Sequence, residues 1–359
     1  MDEFPYDIIC NIFLRVPIKT LLKLRCVSKS WCKIIDDPCY AYMQYRCGGA
    51  QQDALLISPE FGEFTRKTIS LYAGCDDEEG RMIQAAKVPM AKFEAKGSVF
   101  GSCNGLMYFA EFRGVRIVVS NPLRNQFRTL PPLSIENYWS ESERAYGLGF
   151  DSSTNKFKMV CTIYGASGCC YTLVHVLGTW SWRRISSVPA PYVTYGKPVF
   201  VHGFLHWMTE PFTTSEDCEG RIMAFDVSNE TFKLISHPQI CLDKDRRLFT
   251  VLDIQGSLAI LDLSCNTSID IWILDYESKL WSRDYTISID TLLPDHRLTE
   301  VIGMWKQDEL LLTTTQGYFS YGLKTDCLKY KHTSGFSSSA QVYGHRGSLI
   351  SISDETEVA

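Results

Sequence analysis

Two short groups of residues have types and spacing that could do chemistry. The turn 101–105 (Gly-Ser-Cys-Asn-Gly) could present a nucleophile, and His202 and His206 could share a metal ion from one side of a strand. Glycines at both ends of an Asn-containing turn are explained by backbone geometry alone, and the histidines have no evident third ligand. We interpret both groups as turn and packing residues. The sequence predicts no catalytic residue, no metal site and no cofactor.

The fourteen cysteines suggest no chemistry either, because they are scattered and contain no C-x-x-C pair. The adjacent Cys169 and Cys170 could be redox-active, but neighbours in a strand point to opposite faces. Others, such as Cys26, Cys161 and Cys265, lie in apolar runs. We expect reduced thiols, mostly in the core, in a reducing compartment.

The elements that carry these residues recur with a period of about fifty residues. A polar or glycine turn followed by a short apolar strand occurs at 52–56, 104–108, 202–207, 255–259, 307–311 and 346–350. The double-length interval after the second copy predicts a degenerate copy near residue 154. The short last interval predicts that C-terminal strands complete a blade with strands from the start of the domain, which would remove exposed sheet edges.

A second repeated element has an apolar strand, a polar turn and then a strand with an aromatic residue. Its aromatic residues are Phe127, Trp182, Phe232 and Trp281, and we expect them in the cores of the repeats. Each unit therefore holds about four short strands, which is typical of a propeller blade. The length after residue 50 predicts about six blades.

The first 47 residues have helical periodicity instead. Apolar residues at helical spacing predict three short helices, with Pro17 opening the second and Ser28 capping the third. A segment this small rarely folds alone, and it carries more large apolar residues than one small core can bury. The surplus predicts a surface that binds another protein. Most basic side chains here, including Arg25, are expected to be solvated, and a minority to pair with acidic groups of that protein.

These helices strongly resemble the F-box. The resemblance rests on the run 21–31 (LLKLRCVSKSW), on Phe4-Pro5 and on Val16-Pro17, and it covers residues 4–45. It implies binding to a Skp-family adaptor and, through it, to the cullin and RING subunits of an SCF ubiquitin ligase. The residues expected to form the adaptor contact and the core of the module are Pro5, Ile8, Ile9, Ile12, Leu14, Pro17, Leu21, Leu22, Cys26, Val27 and Trp31.

The region 95–285 resembles the F-box-associated, kelch-like domain of plant F-box proteins. The resemblance rests on the segments 101–106, 121–122, 130–132, 146–151, 202–207, 225–226 and 271–272. It implies a multidomain α + β chain with an F-box over 1–47 and an all-β, propeller-like, substrate-binding domain over 48–359. The double-glycine strand of standard kelch repeats is missing, so the blade count rests on the period.

Composition limits the remaining choices. The 359 residues are 45% hydrophobic and 21% charged, which is typical of a globular protein, and the net charge of −5 argues against a nucleic-acid-binding surface. No apolar run is long enough to span a membrane, and no secretory signal is evident. We expect a soluble protein of the cytoplasm, the nucleus or both.

The sequence thus predicts a non-catalytic substrate receptor of an SCF-type ligase that holds an unidentified target protein for ubiquitination and degradation. Two alternatives remain: an F-box interaction scaffold outside the ligase, and a propeller enzyme or carbohydrate-binding protein. The expected target contacts are the longest loops, at Gly74–Val88, Ser134–Arg144, Pro189–Lys197, Thr209–Gly220 and Leu292–Thr299.

Overall fold

Tight turns with left-handed backbone join many of the strands. In Asn104-Gly105, His202-Gly203 and Gln255-Gly256 both residues have positive φ, between 46° and 87°. This is the pattern of a type I′ turn, whose twist matches that of the two antiparallel strands it connects. The recurrent polar-glycine pair of the sequence is therefore a hairpin signal.

The structure is a computed structural model. It describes residues 5–47, 54–59, 67–76, 82–90, 98–111, 116–133, 143–164, 170–189, 197–209, 221–238, 249–265, 267–289, 298–306, 308–315, 317–331 and 343–352. The N-terminal helices are α1 (Tyr6–Phe13), α2 (Ile18–Leu24), α3 (Lys29–Asp36) and α4 (Pro38–Cys47). The prediction of three helices was thus one short. None of the described helices is long and apolar enough to cross a bilayer.

The described strands form six four-stranded antiparallel sheets, the blades. Blade 1 begins with β1 (Ala54–Pro59), β2 (Lys67–Asp76) and β3 (Met82–Met90). Blade 2 contains β4 (Ser98–Cys103), β5 (Leu106–Glu111), β6 (Ile117–Asn121) and β7 (Gln126–Thr129). Blade 3 contains β8 (Glu143–Asp151), β9 (Lys156–Tyr164), β10 (Cys170–Val176) and β11 (Arg183–Ile185). The degenerate repeat expected near residue 154 is confirmed as β9.

The second half of the ring continues the pattern. Blade 4 contains β12 (Val199–Val201), β13 (Phe204–Met208), β14 (Arg221–Asp226) and β15 (Thr231–Ser236). Blade 5 contains β16 (Phe249–Ile254), β17 (Ser257–Asp262), β18 (Ser268–Asp275) and β19 (Leu280–Ser288). Blade 6 contains β20 (Leu298–Lys306), β21 (Glu309–Thr314), β22 (Gly317–Gly322) and β23 (Cys327–Lys331). The last of the described strands is β24 (Tyr343–Arg346).

The ring closes by joining the two ends of the propeller region. β24 pairs with β1, from Ala54 opposite Arg346 to Ile57 opposite Tyr343, and so supplies the innermost strand of blade 1. The first strands of successive blades, such as β16, β20 and β24, contact one another around the centre. The predicted propeller and its mode of closure are both confirmed.

The apolar cores lie mainly between blades. One buried cluster joins blades 3 and 4, a second joins blades 4 and 5, and a third joins blades 5 and 6. The largest unites the helices with blades 2 and 3 and with the C-terminal residues Leu349, Ile350 and Ile352. The helices and the propeller therefore share one continuous core.

Candidate functional site

Proline and polar caps position the four helices. Pro5 and Pro17 precede α1 and α2, where the missing N–H has no helical partner to lose. The Ser28 hydroxyl accepts from the Trp31 amide at 3.1 Å and caps α3. The Asp37 carboxylate accepts from the Tyr40 amide at 2.8 Å at the start of α4. These prolines and caps therefore mark where each of the four short helices begins.

The structure divides the eleven predicted adaptor and core residues into two groups. Leu21 is 0% exposed, and Ile9, Leu14, Leu22 and Trp31 are half-buried against the same core, in which the ring of Trp31 meets that of Phe13 edge-on at 5.2 Å. The other six lie at the surface: Pro5, Ile8, Ile12, Pro17, Cys26 and Val27.

The exposed group includes three large apolar side chains. Ile8 is 46% exposed, Ile12 is 54% exposed and Val27 is 62% exposed. Ile8 and Ile12 are four residues apart on α1, so they lie on one face of that helix. Tyr6, which the sequence interpretation omitted, is also exposed. In the sequence, its position beside Pro5 at the start of the helix was the only feature that could have indicated a role in binding. This apolar face is the candidate binding site of the helices.

Arg25, one of the basic side chains that were expected to be mostly solvated, is 34% exposed and pairs within the module. Its Nη2 donates to the Asp36 carboxylate at 2.7 Å, so this arginine holds two helices of the module together. The Asp36 carboxyl is partly buried, which would raise its pKa, but hydrogen bonds from Arg25 and Arg124 outweigh burial and lower it. The carboxylate is therefore ionised at neutral pH.

The two residue groups that could have done chemistry have packing roles. Cys103, in the turn 101–105, is buried, and burial raises the pKa of its thiol well above the ordinary value. His206 lies on β13, while His202 lies in the preceding turn with a φ of 51°. His206 Nε2 is 2.7 Å from the Tyr276 hydroxyl of blade 5. Among the described residues no group of three His, Cys, Asp or Glu side chains could hold a metal ion.

The glycine-containing segment 146–151 packs blade 3 tightly against blade 4. A Cβ on Gly147 would lie 2.8 Å from the Trp207 ring, and one on Gly149 would lie 2.5 Å from Val227. The Trp207 indole also donates to the Tyr146 carbonyl at 3.4 Å. The motif residues that carried the family resemblance in this region therefore hold neighbouring blades together.

The expectation that the cysteines are mostly core thiols was wrong for the described residues. Ten described cysteines are free, and only Cys10, Cys103 and Cys161 among them are buried. Cys26 and Cys265, which the sequence placed in apolar runs, are exposed. Cys170 is half-buried, and Cys169 lies outside the described residues.

The repeated aromatic residues lie on or beside outer strands, and two of them bond to the preceding blade. Phe127 is largely exposed, and the other three are half-buried. The Trp182 indole donates to the Pro131 carbonyl at 2.8 Å, and the Trp281 indole donates to the Ser236 carbonyl at 2.7 Å. Each bond reaches the chain just after, or at the end of, the preceding blade's outer strand. The prediction that these residues fill blade cores was therefore only partly right.

The two edges of the ring differ in what they join. One edge carries three residues that contact the helices. They are Arg124 in the turn between β6 and β7, Phe150 beside the turn between β8 and β9, and Arg346 at the end of β24. We call this edge the proximal rim. At the opposite edge, the distal rim, second strands connect to third strands and each blade connects to the next.

Four of the five loops expected to contact a target connect strands at the distal rim. Residues 134–142, 190–196, 210–220 and 290–297 lie outside the described residues, but the strands on either side of them end at this rim. The fifth, Gly74–Val88, is mostly β2 and β3, with 77–81 outside the described residues. Which of these segments touch a target stays a prediction.

Comparison with known proteins agrees with this architecture. The model of the F-box domain matches residues 1–41, and the model of the F-box associated beta propeller domain matches residues 66–323. The F-box protein CPR1 of Arabidopsis thaliana is 28% identical over 319 residues, covering 80% of this chain and 73% of that protein. The F-box/kelch-repeat protein At3g23880 of the same plant is 22% identical over 364 residues, covering 98% of this chain and 96% of that protein. The chain belongs to the family of F-box proteins with an F-box-associated β-propeller domain.

Proposed function

We propose that this protein is the substrate-recognition subunit of an SCF-type E3 ubiquitin ligase. The helices bind a Skp-family adaptor and through it the cullin and RING subunits, while the propeller holds a target protein. The chain itself breaks and forms no bonds. It raises the concentration of target lysines near the charged conjugating enzyme, which is an effective-molarity effect. Such a receptor works in the cytoplasm, the nucleus or both.

The observation that carries this proposal is the exposed apolar face of the helices. Ile8, Ile12 and Val27 remain exposed although the module already shares a core with the propeller. Apolar side chains that stay uncovered after folding favour a protein partner that covers them. Within the module, Leu21 and its neighbours form the core, and the surface residues form the adaptor contact.

The distal rim is the part of the propeller best suited to the target. The helices cover part of the proximal rim, so an adaptor bound to them stands on that side of the ring. A target at the distal rim would not compete with the adaptor for space. The distal rim also carries most of the long connections, and variable loops on a rigid scaffold are where recognition usually resides.

Adaptor binding tests the first half of the proposal. The triple variant Ile8→Ala/Ile12→Ala/Val27→Ala removes exposed side chains only, so it should fold with an unchanged circular dichroism spectrum. Truncated interface anchors commonly cost about 1–4 kcal/mol each, so adaptor affinity should fall at least tenfold by calorimetry. Leu280→Ala, which truncates an apolar side chain of blade 5 that is 68% exposed, is the matched control and should bind normally. Failure of the intact chain to bind the adaptor would refute the proposal.

Ubiquitination separates the ligase receptor from a scaffold. Proximity labelling under proteasome inhibition identifies proteins captured by the propeller, and their half-lives are then compared with and without the triple variant. A receptor predicts that captured proteins persist longer when the adaptor face is removed. Unchanged half-lives with intact adaptor binding would favour the scaffold.

A further inference from the structure

We infer that the C-terminal residues 346–352, together with Arg124 and Asp36, form a rigid joint that fixes the orientation of the helices on the propeller. We call residues 346–352 the C-terminal strap. The use of this joint in positioning a target rests on the proposed ligase function. The joint itself is a property of the free chain.

The strap is held against blade 2 by its backbone. Asn121 Nδ2 donates to the carbonyl oxygens of Ser348 and Ile350, at 3.0 and 2.6 Å. Gly105, with a φ of 79°, lets Ser348 approach so closely that a Cβ at residue 105 would lie 2.2 Å from Ser348 Cβ. Ser348 and Leu349 are buried. Because two of its carbonyls accept from one buried amide, the strap cannot slide along the blade without losing both bonds.

Arg124 connects the strap to the helices. Its Nη1 donates to the Leu349 carbonyl at 2.8 Å, and its Nη2 donates to the Asp36 carboxylate at the end of α3, also at 2.8 Å. The Arg124 side chain is only 6% exposed. A planar guanidinium with both partners in place fixes direction as well as distance, which a single ammonium cannot do. The strap and α3 are therefore held by the same side chain.

Two further contacts reach α4 from other blades. The Arg346 guanidinium donates to the Tyr45 carbonyl and lies 4.2 Å from the centre of the Tyr45 ring. The rings of Tyr42 and Phe150 stack at 4.7 Å with an interplanar angle of 26°. The helices are thus attached to blades 1, 2 and 3 through Arg346, Arg124 and Phe150. Because the helices are held at three separate points, they cannot rotate on the propeller about any one of them.

Closure of the ring and attachment of the helices depend on the same stretch of chain. Arg346 ends β24, the strand that closes blade 1, and the strap continues from it. In the ligase, the distance and angle between adaptor and target are then set by the fold, so only target lysines in a limited region can reach the conjugating enzyme.

Pulsed electron–electron resonance on the full chain tests the joint. Spin labels are introduced as an unnatural amino acid at the exposed positions Lys33 on α3 and Glu277 in blade 5, so that no cysteine need be changed. The variant Arg124→Lys/Tyr42→Ala keeps the positive charge but removes the guanidinium that donates to both Leu349 and Asp36, as well as the ring stack. We expect one narrow distance distribution in the wild type and at least a twofold wider one in this variant. Arg283→Lys, at an exposed ion pair of blade 5, is the matched control and should not change the width.

If the distance distribution is equally wide in the wild type and in the double variant, the inference of a rigid joint is overturned, whether or not any adaptor binds. Positioning has a separate readout: the set of receptor lysines modified in a reconstituted ligase, measured by mass spectrometry with adaptor affinity shown to be unchanged. A rigid joint predicts that the double variant spreads modification over more lysines. An unchanged set together with a wider distance distribution would overturn the positioning role and leave the proposed function untouched.

Discussion

At the scale of single residues, His206 shows how a group that suggests catalysis can serve packing instead. Its Nδ1 lies 3.2 Å from the Val199 carbonyl, so Nδ1 carries the proton, and its Nε2 accepts from the Tyr276 hydroxyl. Burial lowers the pKa of His206 to about 4, with the nearby positive charge of Lys233 acting in the same direction. The imidazole is therefore neutral and links blades 4 and 5.

Because of this lowered pKa, the stability of the folded protein depends on pH. The unfolded chain takes up a proton at His206 near pH 6.5, whereas the folded chain resists until about pH 4, so stability falls as the pH drops through that interval. The contribution lost between pH 7 and pH 5 is about 2 kcal/mol. His206→Gln should be less stable than the wild type at pH 7 but lose correspondingly less on acidification. Urea titrations at the two pH values measure this, and equal losses in both proteins would contradict it.

At the scale of elements, a buried ion cluster joins the first hairpin of blade 3 to the outer hairpin of blade 4. Lys158 Nζ lies 2.9 Å from the Asp151 carboxylate and 2.8 Å from that of Glu230, and it donates to the Val227 carbonyl at 2.8 Å. Burial opposes each charge, but hydrogen bonds outweigh it. Bonds from Ser153 and Lys158 lower the pKa of Asp151, and bonds from Arg183 and Lys158 lower the pKa of Glu230. The two carboxylates in turn raise the pKa of Lys158. All three groups are ionised in the folded protein.

Removing the lysine from this cluster should be costly. Lys158→Met leaves the buried Asp151 carboxylate without the lysine that pairs with it, while Glu230 keeps its ion pair with Arg183. Breaking a buried pair in this way typically costs about 3–5 kcal/mol. The lowered carboxyl pKa values stabilise the fold above about pH 4, and the raised lysine pKa does so below about pH 10. The stability lost on Lys158→Met should therefore be constant between those two pH values and become smaller in stronger acid. Urea midpoints across pH test this, with Arg283→Met at an exposed pair expected to change stability by less than about 1 kcal/mol.

The period of the sequence predicted the strands and turns well, but it did not predict which distant residues contact each other. The polar-glycine turns, the degenerate copy at β9 and the closing strand all follow from local hairpin chemistry repeated along the chain. The contacts of the joint do not, because Arg124 and Asp36 are 88 residues apart and Arg346 and Tyr45 are 301 residues apart. Nor could the sequence separate Leu21 from Ile8, since both fit the apolar face of a short helix. The fourth helix was missed because its apolar and polar residues alternate irregularly over Pro38–Cys47.

At the scale of the whole molecule, the shared core accounts for part of the surplus of apolar residues in the helices. Tyr40, Ala41 and Ile35 are buried in the cluster that also contains Leu106 of blade 2 and Ile350 of the strap. Part of the surplus is therefore covered by the propeller, and exposed side chains such as Ile8, Ile12 and Val27 are left for a partner. The helices and the propeller, which the proposed receptor uses to bind the adaptor and the target, are therefore parts of one folding unit.

One folding unit predicts one unfolding transition. In a urea series read by hydrogen exchange, peptides from α2–α3 and from β5–β6 should lose protection at the same midpoint, because neither half keeps its core without the other. Asn121→Ala leaves two strap carbonyls without a donor, and it should move the helix midpoint below that of blades 4 to 6. Residues 1–47 alone should show little helix by circular dichroism, because a segment of that size buries too little surface. Helices that melt before the propeller in the wild type would contradict the shared core, since a separately folding module would keep its own midpoint whether or not the strap is held.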